Sequence, residues 1–142
     1  MQHFDSVFEI VSGNGVHLGG PFRGTAPLLE KVVREVAEAL RNSGAQAASA
    51  AAHETRTACE LDRNRYQAQL WQSRVMRAVE AGDDDSARKA LARKHEHQRH
   101  VAVLEEQVEA ARQASSARKR QVEVLRLRLA EAKRLLASFR LD

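Results

Sequence analysis

Aromatic residues make up only 4% of the 142-residue chain. A thick globular core is normally built on such side chains, so an ordinary compact domain is disfavoured. Proline is nearly absent, with Pro21 and Pro27 the only two. A proline inside a helix removes a hydrogen bond and clashes with the preceding turn, so nothing after Pro27 interrupts helix. Five of the seven glycines precede residue 25, which marks a break in composition. The lone cysteine, Cys59, excludes an intramolecular disulfide and fits a reducing compartment. No apolar run reaches the roughly 20 residues that a spanning helix needs. The N-terminus has no basic stretch and carries Asp5 and Glu9, which argues against a secretory signal.

What is present is alanine, arginine, glutamate and leucine, which dominate from residue 25 onward. These are strong helix formers, and the mixture points to long helices or a coiled coil. The net charge of +4 is unevenly spread. Residues 112–140 hold nine Arg or Lys against Glu123 and Glu131. Arg118, Lys119, Arg120, Arg126, Arg128, Lys133 and Arg134 form the body of this basic arm. Such an arm can meet acidic lipid, acidic protein or nucleic acid.

Alternate steps of three and four taken backward from Phe139 land on Leu136, Ala132, Leu129, Leu125, Val122, Arg118, Ser115, Ala111, Val108, Leu104 and Val101. Only Ser115 and Arg118 break this apolar seam, so the pattern is a heptad repeat that predicts a left-handed supercoil. The same steps from Leu29 land on Val33, Val36, Leu40, Ser43, Ala47, Ala50, Glu54, Thr57, Leu61, Asn64, Ala68, Trp71, Val75 and Ala78. This seam is apolar at both ends and small or polar in the middle.

Between the runs lies Gly82-Asp83-Asp84-Asp85. Glycine suits the left-handed position that ends a helix, and aspartate suits the cap and first turn of the next. The expected architecture is all-α: an antiparallel coiled-coil hairpin over residues 25–142. Its helices would span about 25–81 and 86–140, with the turn at 82–85, each helix roughly 80–85 Å long at 1.5 Å per residue. Folding at the turn sets Leu61 opposite Leu104 and Val108, Val33 opposite Leu136, and Leu40 opposite Leu125 and Leu129. The alanines of residues 47–52 then face Ser115 and Arg118, whose aliphatic stem can lie over them while its charge stays in water. Residues 1–24 differ. Phe4, Val7, Phe8 and Val11 lie at helical spacing and predict a short amphipathic segment, followed by a Gly-rich joint.

These residues resemble the phage-shock protein A family, which includes the plastid vesicle-inducing protein and is related to the ESCRT-III membrane-remodelling proteins. Around the turn, Trp71-Gln72, Ala78, Gly82-Asp83-Asp84-Asp85, Ala87-Arg88, Ala90-Leu91 and Lys94 follow the family pattern without a gap. Met1, Phe4, Ile10-Val11 and Asn14 sit where that family opens its amphipathic segment. The chain departs at Ser86, where the family has leucine, and at Thr25-Ala26-Pro27, where it has Asp-Pro. It also stops at Asp142, where members continue through further helices that support polymers, so the resemblance is to a short form. The resemblance implies an envelope-stress protein, cytoplasmic and peripheral at the inner membrane, that binds an anionic membrane surface and protein partners. It further implies self-association and, by analogy with enterobacterial members, inhibition of a sigma-54-dependent AAA+ activator. The alternative is a structural or adaptor coiled coil with no membrane role.

Each candidate site has a plainer reading beside it. Phe4, Val7, Phe8 and Val11 supply the apolar face of an interfacial helix, but Asp5 and Glu9 repel anionic lipid, and the segment can instead fold back on the hairpin. The basic arm can be a solvated flank in which Lys119, Arg126 and Lys133 pair with Glu30, Glu35 and Glu38, each exposed pair contributing about 0–1 kcal/mol. Nucleic acid is disfavoured as a partner, since few aromatic residues are present to stack on bases. His95, His97 and His100 do not converge as zinc ligands do and read as polar surface. Trp71 reads as packing near Lys94–Gln98, or as an exposed hot spot for a partner. Cys59 lacks a base and a pocket, so it reads as an inert thiol. No cofactor site, metal site or catalytic constellation is expected, and the chain reads as a binding protein rather than an enzyme.

Overall fold

A computed structural model describes residues 25–141. Two helices account for almost all of them: α1, Thr25–Glu80, and α2, Asp84–Leu141. Among the described residues there is no strand, and the fold is all-α, two long helices packed against each other. The chain divides into two compact units, one from Gly44 to Arg120 and one that joins the α1 residues up to Ser43 with the α2 residues from Gln121 onward.

In the Gly44–Arg120 unit the helices run antiparallel. Leu61 packs with Leu104 and Val108, and Ala58 and Val101 close over that cluster. The sequence places these leucines and valines on the heptad seam, and burial of each as core is what that seam requires. Thr57 is also buried, and its hydroxyl donates to the His53 carbonyl at 2.8 Å, so that oxygen is satisfied. Ser115 is 1% exposed, and its Oγ has no hydrogen-bond partner. Arg65 reaches Glu105 at 3.1 Å and Arg112 reaches Glu54 at 3.9 Å across the pair.

In the other unit Leu29, Val32 and Val36 of α1 and Ala132 and Leu136 of α2 are buried. Val33 and Leu136 line one shallow recess together, and Arg140 pairs with Glu30 at 2.8 Å. Strict heptad steps put Val33 rather than Val32 on the seam. Val32 is the more buried of the two, because the apolar stripe here is two residues wide and takes in both.

The break between the helices is Ala81, Gly82 and Asp83. Asp84 and Asp85 already belong to α2, where their charges meet the positive end of the helix dipole. Gly82 adopts φ +70°, the left-handed conformation that favours glycine. Its N–H donates to the Val79 carbonyl at 3.1 Å, and the Asp83 N–H donates to the Ala78 carbonyl at 2.9 Å. This crossed pair is the Schellman closure of α1. Asp83 also caps α2: its Oδ1 accepts the Ser86 N–H at 3.1 Å and its Oδ2 accepts the Ser86 hydroxyl at 2.7 Å. One aspartate therefore ends the first helix and starts the second. Ser86, a departure from the family pattern, gives that cap its second hydrogen bond. These two bonds favour the ionised form and hold the Asp83 carboxyl below its ordinary range.

Candidate functional site

The apolar face expected at Phe4, Val7, Phe8 and Val11 lies outside the described residues. The remaining candidate surfaces lie on α1 and α2.

Among the seam candidates, Val36, Leu61, Leu104, Val108 and Leu136 are buried, whereas Leu40, Trp71, Val101, Leu125 and Leu129 are half-buried. Arg118 is exposed although the heptad steps put it on the seam. Its guanidinium donates to the Gln46 Oε1 at 2.7 Å, across the helix pair. Desolvating a guanidinium in a seam of alanines is costly, so the long stem carries the charge out to water and to Gln46.

The basic candidates do not form the cross-helix pairs expected of them. Arg126 takes Glu123 of its own helix at 2.7 Å, and Glu35 takes Lys31 at 3.8 Å. Glu30 does find a cation across the pair, but it is Arg140. For Arg126 and Glu35 the reason is local: a partner three or four residues away on the same helix lies within reach, whereas a cross-helix partner depends on registry. Lys119, Arg120, Lys133 and Arg134 are exposed and make no ion pair with a described residue. Arg128 is half-buried.

His95 and His100 are exposed, but His97 is not the free surface residue expected. It is half-buried, and its Nδ1 lies 3.1 Å from the Asn64 Oδ1 in a polar layer of the seam. Asn64 also donates its amide to the Glu60 carbonyl at 3.0 Å. The signal was present in the sequence: continuing the steps back from Val101 lands on His97, Lys94, Ala90 and Ala87. No group of three His, Cys, Asp or Glu among the described residues could hold a metal ion. Cys59 is exposed.

Near the turn, Trp71 is half-buried, and the Arg74 guanidinium lies over its ring, 4.4 Å from the centroid. Residues three apart share a helix face, so this cation–π contact was readable from the spacing but was not anticipated. Trp71, Ala78, Lys89, Ala90 and Arg93 line an open groove there.

Two long helices closed by a one-glycine turn, with charged and aromatic faces and shallow grooves, define a helical-hairpin protein whose chemistry lies on its surface. A model of the PspA/IM30 family matches residues 3–137, and the chain belongs to that family. It is similar to the membrane-associated protein Vipp1 of Synechocystis, with 29% identity over 133 residues, 94% of this chain and 50% of that protein. The chain therefore spans about half the length of the curated relative it matches.

Proposed function

We propose that the protein is a peripheral, non-enzymatic member of the PspA/IM30 family that responds to membrane stress at an anionic, cytoplasmic membrane surface. The observation that carries this reading is the family match over residues 3–137, a range that includes Phe4, Val7, Phe8 and Val11 as well as nearly all of both long helices. The relative's own name describes it as membrane-associated. Among the described residues no helix is long and apolar enough to cross a membrane, which fits attachment at the surface. Phe4, Val7, Phe8 and Val11 would enter the interface, and the exposed cations of α2 would face the headgroups. The hairpin would bind protein partners, among them further copies of the chain and, by resemblance, a sigma-54-dependent AAA+ activator. A stressed membrane would then compete for the chain and free the partner.

The test is flotation of the purified chain with anionic liposomes. The expected result is flotation that persists at high salt in the wild type and is lost there in Phe8→Glu. A chain that remains at the bottom with or without lipid would instead favour an adaptor coiled coil.

A further inference from the structure

Beside the turn, α1 and α2 border an open groove of about 680 Å³. Its floor is alanine, Ala78 from α1 and Ala90 from α2, and Ala90 is only 5% exposed. Trp71 stands beside that floor. Small residues next to a large ring leave a recess that apolar side chains of a visiting segment can fill.

The rim is cationic. Arg74, Lys89, Arg93 and Arg99 line the groove, and Glu96 is the one acidic residue among the lining residues. Lys89 and Arg93 are engaged by carboxylates of their own helix, Asp85 at 3.1 Å and Glu96 at 3.5 Å. Arg74 is held over the Trp71 ring. Arg99 has no carboxylate partner among the described residues. The groove thus combines an apolar floor with positive charge on its rim that no carboxylate of the described residues neutralises at Arg99.

We propose that this groove docks a short, acidic amphipathic segment of a partner protein. The segment's apolar side chains rest on Ala78 and Ala90 against Trp71, and its carboxylates meet Arg74 and Arg99. Charge complementarity selects an acidic visitor over a basic one. The concave alanine floor selects side chains carried on a peptide over flat lipid headgroups. A nucleic acid is disfavoured because Arg74 already covers a face of the tryptophan on which a base would stack. The proposal rests on this groove alone and stands whether or not the chain binds membrane.

Trp71 is the chain's single tryptophan, so intrinsic fluorescence reads the groove directly. The full chain is titrated with a synthetic amphipathic helix bearing leucine on one face and glutamate on the other, and with its glutamine counterpart. The glutamate peptide should shift the Trp71 emission saturably, and the glutamine peptide should bind about tenfold more weakly or not at all. Arg99→Glu, which leaves the Trp71–Arg74 contact in place, should weaken the glutamate peptide by a similar factor with an unchanged circular dichroism spectrum. Glu96→Gln, which removes the acidic lining residue and frees Arg93, should tighten it. Equal binding of the two peptides, absence of a saturable shift, or unchanged affinity in Arg99→Glu would each overturn the proposal. A saturable Trp71 shift with phosphatidylglycerol vesicles that is lost in Arg99→Glu, with no shift from the glutamate peptide, would assign the groove to a lipid surface and overturn it too.

Discussion

Gly44 and Gly82 are both glycines of the helical region, and alanine at each should act with opposite sign. Gly44 lies inside α1, and a Cβ placed there meets nothing within 4 Å. The substitution therefore adds no clash and removes glycine's backbone entropy cost, a gain of about 0.5–1 kcal/mol. A Cβ on Gly82 would also meet open space, but the φ of this residue is +70°. Sterics of the neighbours are thus not at issue, and the backbone conformation alone decides. An L-residue in the left-handed region costs about 1–2 kcal/mol, so Gly82→Ala destabilises by that amount. The two variants should differ by about 1.5–3 kcal/mol in total. Urea unfolding of both variants and of the double mutant measures this, and distant sites of this kind should add within about 0.5 kcal/mol. A D-alanine at position 82, introduced by semisynthesis, should recover the loss because its preferred φ is positive. If Gly82→Ala were neutral, or if both variants moved in the same direction, the account of the turn would be wrong.

Leu61→Ala should destabilise the chain by about 2–3 kcal/mol, the low end for a buried leucine, because a two-helix seam can collapse partly around the lost volume; urea midpoints check this. Ser115→Ala removes a buried hydroxyl that lacks a partner and should stabilise by up to about 1 kcal/mol, measured by the same unfolding curves. Asp83 titrates below its ordinary value in the folded chain, so its stabilising contribution is present above the unfolded value of about 3.9 and is lost as pH falls through the lower folded value. Asp83→Asn keeps a capping side chain but cannot titrate, so it should show a smaller drop in stability than the wild type between pH 5 and pH 2, read from unfolding curves across that range.

The seam was legible because burial follows a strict period. Every α1 position reached from Leu29 is buried or half-buried, down to the polar Glu54 and Asn64. Leu61 meets Leu104 and Val108 as the fold at the turn requires. Two features escaped the period. Arg118 occupies a seam position but is long enough to leave it, and Val32 is drawn in beside Val33 where the stripe widens. The polar layer of Asn64 and His97 needed the seam to be followed one heptad further. Ion pairing was the least legible, because a carboxylate such as Glu35 has partners of similar cost on its own helix and across the pair, and rotamer choice decides between them. The groove beside Trp71 escaped for another reason: heptad steps find what is buried, whereas a recess is made by small residues next to a large one, and its value lies in the cations on its rim.

The distribution of charge on α2 bears on the membrane reading. Of its distal cations, Arg112, Arg126 and Arg140 are engaged by carboxylates, Glu109 and Glu54, Glu123, and Glu30 respectively. Lys119, Arg120, Lys133 and Arg134 make no ion pair with a described residue. A flank that was only solvated could neutralise itself with the glutamates of α1, and this one does so for part of its charge alone. The remainder attracts mobile anions, which an anionic surface can replace. That contribution should be screened by salt, with a range of about 8 Å at physiological ionic strength, whereas insertion of apolar side chains such as Phe8 should not be. Flotation measured from low to high salt separates the two. Wild-type binding that falls with salt to a plateau, and Phe8→Glu binding that falls to nothing, would assign the plateau to the N-terminal face and the salt-sensitive part to α2. Binding indifferent to salt would remove α2 from the membrane contact and leave its cations to protein partners.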